Sequence, residues 1–299
     1  MAQLPPVWAV VGPTATGKSD LGVALAQALG GQVVNADSMQ LYRGMDVGTA
    51  KLTAAEQQGV QHHLLDVRDV TWTATAAEYQ QLCRAVVDDL RAREVVPVVV
   101  GGSGLYVRAA LDVLEFPGTD PALRAQLEAD LSDVGSEALH ARLAALDPAA
   151  ATRMEPSNGR RVVRALEVVT LTGSMPGELT AYEAHYPTTY VGLDRDDLPE
   201  RVALRVDRMW EAGLVEEVRA LEARGLRDGV TASRALGYAQ VLAWLDGTVA
   251  DPREATVVQT RRFVKRQRAW FRRDPRVRWI DAAAPDLVSR ALAGVPASG

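Results

Sequence analysis

The stretch Gly12-Pro13-Thr14-Ala15-Thr16-Gly17-Lys18-Ser19 fits the phosphate-loop pattern G-x-x-x-x-G-K-[ST] at every fixed position. It follows the apolar run Val7–Val11, which has the composition of a buried strand. Apolar residues recur at helical spacing after it, at Leu21, Ala24, Leu25, Ala28 and Leu29. The sequence therefore predicts a strand, a phosphate-binding loop and a helix in succession.

The residue types of this loop suit the binding of phosphate groups. Its glycines allow backbone N–H groups to turn toward phosphate oxygens, and the N-terminus of the following helix adds partial positive charge. Lys18 has the reach to contact the outer phosphate, and the Ser19 hydroxyl is the expected ligand of Mg²⁺. The loop leaves open whether the attacked atom is phosphorus, as in a kinase, or a carbon that carries the diphosphate.

Length and composition restrict the class of protein. The chain has 299 residues, 47% of them hydrophobic, which predicts two domains; no run reaches about 18 apolar residues. For that reason no membrane span is expected, and because a strand begins close to the N-terminus, no signal peptide is expected either. The single cysteine, Cys83, suits a reducing cytoplasm. His62 and His63 have no Cys or acidic residues at metal-ligand spacing, so we interpret them as structural.

Two further strands are predicted to end beside the phosphate loop. The run 32–36 ends at Asp37, and the run 95–100 ends at Gly101-Gly102-Ser103-Gly104. The carboxyl ends of parallel strands meet at one rim of an open α/β sheet, where ligands bind. We therefore expect Asp37 on the rim of the phosphate loop, with the capping of a local turn as its alternative role. The glycines stand where a typical phosphate-loop NTPase has an acid that helps to hold Mg²⁺.

A helical insertion is predicted from about residue 114 to residue 190. Asp120-Pro121 has the sequence of a helix start, with an N-cap followed by proline. Ser136 begins a second predicted helix, Asn158 caps a third, and strand patterning resumes at 190–193. Asp194 ends that strand and is a candidate for the missing acid near Mg²⁺, which keeps a kinase function open.

Two groups of basic residues indicate an anionic partner, although the net charge of −5 alone argues weakly against nucleic acid. Arg160, Arg161 and Arg164 lie in the first turns of the third insertion helix, where the helix dipole disfavours cations. Neighbouring acids such as Glu155 offer an alternative that needs no partner.

The second group lies on a helix predicted to start at Asp251-Pro252. Residues 260–273 contain seven basic residues and no acidic one. The inward-facing residues are predicted to be Phe263, Gln267 and Trp270, and the basic face Arg261, Lys265, Arg268 and Arg272. So many like charges repel one another, which favours a polyphosphate such as RNA as the partner.

Seven motifs occur in one order across nearly the whole chain. They are GPTATGKS at 12–19, NADSMQLYRGMDVGTAK at 35–51, HHLLD at 62–66, VVGGSGLY at 99–106, NGRRVVRALE at 158–167, GYAQ at 237–240 and TRRFVKRQRAWFR at 260–272. In this combination the chain resembles the bacterial tRNA dimethylallyltransferases, also called tRNA isopentenyltransferases. The resemblance implies an α/β fold with a P-loop NTPase-like core, in which a mostly parallel sheet is flanked by helices. The core would comprise residues 1–113 and 191–299, and the insertion 114–190 would contact the tRNA anticodon stem-loop.

The resemblance also implies the reaction. A dimethylallyl group would pass from dimethylallyl pyrophosphate to N6 of the adenine on the 3′ side of the anticodon, in tRNAs reading codons that begin with U. The donor would be bound by Gly12, Pro13, Thr14, Ala15, Thr16, Gly17, Lys18 and Ser19, with Mg²⁺ as cofactor on Ser19. Asp37 matches the family's general base, and Arg205 matches the arginine that assists at the pyrophosphate. We expect a cytoplasmic monomer with no membrane partner.

The residues that match the family's tRNA contacts are Asp37, Ser38, Met39, Gln40, Ser103, Arg124, Arg160, Arg161, Arg164, Arg234, Gly237, Tyr238, Lys265, Arg266, Arg268 and Arg272. Phosphate contacts would position the stem-loop and base contacts would specify it. Two positions depart from the family's pattern. Ser103 stands where many members have Thr, which keeps the hydroxyl, and Ala239 stands where members often have Lys or Arg, which removes a basic side chain.

Two other functions remain open from the residues alone. One is a phosphate-loop kinase of a nucleoside or small metabolite, with Asp194 near Mg²⁺. It predicts consumption of ATP and gives no role to the basic face of residues 260–273. The other is an RNA-binding module with a vestigial loop, which predicts binding of tRNA without product.

Overall fold

The computed structural model describes residues 4–176 and 181–293 of the chain. These residues form two compact units. One contains the chain up to Val113 and from Glu183 onward, and the other contains Leu114–Tyr182. None of the helices in the described ranges combines the length and the apolar character that a membrane span requires.

Six strands of the described chain form a single sheet in the first unit. They are β1 (Val7–Val11), β2 (Gln32–Asn35), β3 (His62–His63), β4 (Pro97–Gly101), β5 (Thr188–Asp194) and β6 (Arg278–Asp281). Their order is β3-β2-β4-β1-β5-β6, and every neighbouring pair is parallel. β1 lies near the centre and is buried along its whole length, as expected for a strand covered on both faces. The predicted α/β class is confirmed.

Eleven α-helices lie in the described residues. They are α1 (Lys18–Leu29), α2 (Ala76–Ala92), α3 (Gly104–Leu111), α4 (Pro121–Leu146), α5 (Pro148–Thr152), α6 (Gly159–Thr172), α7 (Leu198–Glu211), α8 (Leu214–Glu222), α9 (Tyr238–Leu245), α10 (Pro252–Phe271) and α11 (Leu287–Leu292). Leu21 and Leu25 of α1 join Val10, Val98 and Val191 of the sheet in one buried core, against which α11 also packs. The helices α2 and α3 contact each other and also contact β4. Burial of each such aliphatic side chain contributes about 1.5–3 kcal/mol.

The helix boundaries follow from capping residues. The carboxylate of Asp251 accepts the Glu254 N–H at 2.9 Å, and Pro252 occupies the first position of α10, as its sequence predicted. The helical region predicted over 198–224 is divided into α7 and α8, because Gly213 adopts φ 91°. The helix predicted over 75–93 begins after Thr75, whose hydroxyl accepts the Glu78 N–H at 3.1 Å.

Two details of the first unit differ from the sequence predictions. The residues His62 and His63 form the short edge strand β3 beside β2, which no sequence pattern indicated. Two residues are too few to show an alternation of side chains, and their ring nitrogens bond to Val60 O and Gln32 Oε1. On α10 the buried side chains include Thr260, Val264, Gln267 and Phe271, whereas Phe263 and Trp270 are only partly buried.

The second unit is helical and has its own core. Leu127, Leu139, Leu143, Val163 and Leu166 are buried together between α4 and α6. The side chain of Asp120 caps α4 and that of Asn158 caps α6, as predicted. Non-helical dihedral angles at Gly135, φ 80° and ψ 169°, kink α4 just before the predicted helix start at Ser136.

The boundaries of this unit correspond in part to the predicted insertion 114–190. Both begin at Leu114, but the observed unit ends at Tyr182. The chain has already rejoined the first unit at Glu183, whose carbonyl accepts the Val113 N–H at 2.9 Å. His185 N–H donates to Leu111 O at 2.8 Å and extends this pairing ahead of β5.

Candidate active site

The phosphate loop connects β1 to α1 in a conformation that glycine makes possible. Gly12 has φ 135°, and a Cβ added there would collide with the carbonyl oxygen of Leu193 on β5. Ala15 and Gly17 also have positive φ, 65° and 89°. The Thr16 hydroxyl donates to Pro13 O at 2.9 Å and ties the loop to itself. Alternating backbone conformations of this kind, at a helix N-terminus, create a concave site for anions.

A buried glutamine of α10 holds the phosphate loop in place through hydrogen bonds. Gln267 Oε1 accepts the Thr14 N–H at 3.0 Å, and Gln267 Nε2 donates to Gly102 O at 2.9 Å. One side chain thereby joins the phosphate loop to the glycine turn after β4. The sequence placed Gln267 among the inward-facing residues and assigned it no role at the site. The sequence did contain a signal for such a role, because Gln267 is a polar residue in a stripe otherwise predicted to face the core.

Two cavities adjoin at the carboxyl ends of the central strands. The first, which we call the donor cavity, has a volume of about 610 Å³ and contains Lys18, Ser19 and three arginines of α7 in its lining. The second, the acceptor cavity, has a volume of about 460 Å³ and contains Phe263 and Trp270 of α10 in its lining. The residues common to both linings are Thr14, Asp37, Thr49, Gly102, Arg205 and Met209. The two predicted catalytic residues, Asp37 and Arg205, thus lie where the cavities meet.

Two cations in this region have little compensation from protein groups. Desolvation, followed by the charge of nearby Arg205, lowers the pKa of Lys18 from its ordinary 10.5 to about 7, against the opposing effect of Asp37. Lys18 Nζ donates to Pro13 O at 2.6 Å. Enclosure also lowers the pKa of Arg205, again against the effect of Asp37. Across the described residues no carboxylate lies within 4.0 Å of either cation, which is the electrostatic condition for binding an anion.

Local hydrogen bonds hold Asp37 in a defined orientation. It directly follows Ala36 at the end of β2, and its Oδ1 accepts the Met39 N–H at 2.9 Å. Its own N–H donates to Asn35 Oδ1 at 2.9 Å, and the buried Asn35 side chain also donates to Leu64 O at 3.0 Å. The turn-capping role and the catalytic role considered for Asp37 are therefore compatible: one carboxylate oxygen caps the turn while the residue lines both cavities.

The hydroxyl of Ser103 lies across the same rim. Ser103 Oγ accepts the Ser38 N–H at 3.3 Å and lies 3.3 Å from Ser38 Oγ. Both serines line the acceptor cavity together with Met39. The turn after β4 therefore places a hydroxyl beside the segment that follows β2.

Asp194, the candidate acid of a kinase mechanism, is bound by two arginines, one on α10 and one directly after it. Arg268 Nε donates to its Oδ1 at 2.8 Å, and Arg272 Nη2 donates to its Oδ2 at 2.9 Å. Burial acts to raise the pKa of Asp194, but these hydrogen bonds outweigh it and leave the pKa below its ordinary value. Neither cavity contains Asp194 in its lining. This geometry removes the observation that favoured a kinase.

Comparison with known proteins identifies the family. The sequence pattern described as IPP transferase matches residues 40–274. This chain belongs to the IPP transferase family. A protein of Thermobifida fusca named tRNA dimethylallyltransferase is 63% identical over 96% of this chain and 93% of its own length. A protein of the same name from Streptomyces coelicolor is 62% identical over 96% of this chain and 94% of its own length.

Solved structures of this family have the same fold. The tRNA isopentenylpyrophosphate transferase of Bacillus halodurans superposes with a TM-score of 0.71 at 40% identity, covering 96% of this chain and 93% of that one. A eukaryotic dimethylallyltransferase described as acting on tRNA gives a TM-score of 0.80 at 25% identity, covering 97% of this chain and 77% of that one. The phosphate-loop core with its parallel sheet is therefore shared with tRNA isopentenyltransferases.

The residues matched to the family's tRNA contacts differ in accessibility in the first unit. Arg234 and Arg266 are exposed and line the acceptor cavity, and Lys265 is exposed beside them. Arg268 and Arg272 are bound to Asp194. Met39 also lines the acceptor cavity, whereas Gln40 lines the donor cavity.

Tyr238 and Gly237, which were predicted to contact tRNA, do not lie on the surface. Both are buried, and the Tyr238 hydroxyl donates to Glu217. These two residues are therefore not available to an RNA and have an internal role. Sequence matching does not distinguish a contact residue from one that supports the contact surface.

The arginines of the second unit also divide into two groups. Arg160 and Arg161 are exposed at the start of α6. Arg124 and Arg164 instead donate to the buried carboxylate of Glu167, and Arg164 also donates to Pro117 O at 2.7 Å. For Arg164, the internal ion pair that the sequence left as an alternative is present, although its partner is Glu167 and not Glu155.

Proposed function

We propose that this chain transfers the dimethylallyl group of dimethylallyl pyrophosphate to N6 of the adenine that follows the anticodon, in tRNAs reading codons that begin with U. The observation that carries the proposal is the position of Asp37 between two cavities. One cavity has the phosphate loop and uncompensated cations, and the other has aromatic side chains and exposed arginines. The names of the relatives support the same reaction.

The donor side fits a pyrophosphate leaving group. Lys18 and Arg205 would offset the negative charge that develops on the pyrophosphate as the bond from carbon to oxygen breaks. Of the residues shared by both cavities, Met209 offers an apolar side chain and would contact the alkyl group. The interactions of Lys18 and Arg205 with the pyrophosphate strengthen in the transition state because the charge on the leaving group increases there.

The donor cavity also fits a Mg²⁺ ion bound mainly through its substrate. The described residues contain no group of three or more His, Cys, Asp or Glu side chains arranged for a metal. Mg²⁺ typically takes most of its ligands from phosphate oxygens and water, so the Ser19 hydroxyl is a sufficient protein ligand. Bound there, Mg²⁺ would supply additional charge neutralisation at the leaving group.

The acceptor side fits a nucleobase. An adenine turned out of an RNA loop would enter the acceptor cavity past Phe263 and Trp270, whose rings offer surfaces for stacking. Asp37 would take a proton from N6 as the bond from nitrogen to carbon forms. The hydrogen bond from Met39 N–H holds the carboxylate in one orientation for this step.

The experiment mixes the protein with labelled dimethylallyl pyrophosphate, Mg²⁺ and unmodified tRNA, with labelled ATP in a parallel reaction. We expect label on the adenine next to the anticodon and no transfer from ATP. A tRNA with guanine at that position and the variant Lys18→Met serve as controls and should remain unlabelled. A kinase would consume ATP, and an RNA-binding module would bind tRNA without forming product; either result contradicts the proposal.

A further inference from the structure

Glu217 of α8 binds one turn of a loop that borders both cavities. Its Oε2 accepts the Asp46 N–H at 3.0 Å and the Val47 N–H at 2.8 Å, and its Oε1 accepts the Gly48 N–H at 3.2 Å. Three consecutive backbone amides are thus directed at one carboxylate, the arrangement that proteins use to bind anions. We call residues 46–49 the Glu217-bound loop.

Tyr238 of α9 completes this contact from the other side. Its hydroxyl donates to Glu217 Oε1, and burial, followed by the charge of Glu217, raises its pKa, so the hydroxyl keeps its proton. A Cβ added to Gly48 would collide with the Tyr238 ring, so the loop lies directly on this aromatic side chain. Glu217 is therefore saturated by four donors.

The far end of the Glu217-bound loop contacts Arg205, the predicted catalytic arginine. Thr49 O accepts a hydrogen bond from Arg205 Nη2 at 3.0 Å, and the Thr49 hydroxyl donates to Met45 O at 2.6 Å. This carbonyl is a hydrogen-bond acceptor for the Arg205 guanidinium and helps to orient it, in addition to the electrostatic effect of Asp37. Gly48 and Thr49 also line the acceptor cavity.

We propose that Glu217 is a positioning residue for the transfer reaction, acting on Arg205 through the Glu217-bound loop. Its carboxylate fixes the amides of residues 46–48, which sets the position of the Thr49 carbonyl and thereby the direction in which Arg205 points. Glu217 lines neither cavity, so it touches neither substrate. The inference rests on the proposed function and assigns a role to a residue outside the recognised motifs.

The substitution Glu217→Gln tests this role with little change of shape. It replaces one carboxylate oxygen by an NH₂ group. The N–H or O–H donors that bonded to that oxygen then face another donor and lose their acceptor. The matched control is Glu216→Gln, at the exposed neighbouring position on the same helix. We expect Glu217→Gln to lower kcat at least about tenfold, with the Kd for tRNA within about twofold of the wild-type value and the control unchanged.

A double-mutant cycle with Arg205→Ala separates positioning from general support of the fold. If Glu217 acts through Arg205, then Glu217→Gln costs less than about twofold in kcat once Arg205 is absent. An equal loss in both backgrounds overturns the inference, as does a Glu217→Gln enzyme with wild-type kcat. If Glu217→Gln lowers the melting temperature below the assay range, Tyr238→Phe takes its place in the cycle, because it removes a single hydrogen bond to Glu217. Its effect on kcat should likewise fall below about twofold once Arg205 is absent.

Binding of inorganic pyrophosphate gives a readout that does not depend on transfer to tRNA. We expect Glu217→Gln to raise the Kd for pyrophosphate several-fold, and to leave it unchanged in the Arg205→Ala background. A wild-type protein that places no label on adenine contradicts the proposed function alone. An unchanged Kd for pyrophosphate in Glu217→Gln contradicts the positioning role alone.

Discussion

Binding of pyrophosphate should be accompanied by uptake of a proton on Lys18. Enclosure lowers the pKa of the Lys18 ammonium to about 7 in the free protein, and a bound pyrophosphate would raise it toward its ordinary value of 10.5. At pH 8 the free protein carries about 0.1 proton on Lys18 and the complex about 1.0, a difference of about 0.9. At pH 6 the same difference falls to about 0.1, because Lys18 is already charged.

The sign of the pH dependence follows from the same shift. Above about pH 7 the free protein must take up the proton before the ion pair forms, so the apparent affinity should fall by up to about tenfold per pH unit. Below about pH 7 the contribution of Lys18 should be constant.

Isothermal titration calorimetry in buffers of different ionisation enthalpy measures the number of protons directly. The variant Lys18→Met provides the reference, because it retains any proton exchange by pyrophosphate itself and by other groups. The expected result is a wild-type excess of about 0.9 proton at pH 8 that declines toward pH 6. Equal proton uptake by wild type and variant across this range would refute the assignment of Lys18 as a desolvated lysine that becomes fully charged when an anion binds.

Three further outcomes are expected. Asp37→Asn should lower kcat by about 10²–10⁴-fold, as loss of a general base does, with the Kd for tRNA within a few-fold; near-normal turnover would exclude Asp37 as the base. Lys265→Ala should weaken tRNA binding and reduce its salt-dependence slope by about one, whereas Arg272→Ala should change the slope less, because Arg272 is already paired with Asp194. Gln267→Leu should leave Thr14 N–H unsatisfied and lower the free energy of unfolding by about 1–3 kcal/mol, measured by denaturant titration with Arg261→Leu as the exposed control.

The sequence predicted those parts of the fold that local patterns determine. Val7–Val11 and Val98–Val100 are continuous apolar runs and form central parallel strands, because both faces of such strands are covered. Asp120, Asn158 and Asp251 act as the helix caps that their sequence context indicated. The position of Asp37 on the rim of the phosphate loop followed from the parallel topology alone.

Contacts between residues distant in sequence could not be predicted in this way. Gln267 and Thr14 are 253 positions apart, and Glu217 and Val47 are 170 apart, yet each pair is joined by a side-chain hydrogen bond to a backbone amide. Neither glutamine nor glutamate has a local sequence signature for such a bond, and on a helix each usually faces solvent. For the same reason, the charge pattern of α10 did not predict the ion pair of Arg268 with Asp194, because Asp194 lies on a strand distant in sequence.

The helix α10 therefore presents two different sides that its composition alone does not separate. From its buried side Gln267 bonds to the phosphate loop, while Arg268, and Arg272 directly after the helix, bond to Asp194 at the end of β5. From its outer side Lys265 and Arg266 remain exposed. An RNA that binds the outer side would contact the same rigid element that orients the phosphate loop. Because a helix transmits displacement along its length, RNA contacts on α10 and pyrophosphate contacts at Thr14 should be energetically coupled, and the coupling should be lost in Gln267→Leu.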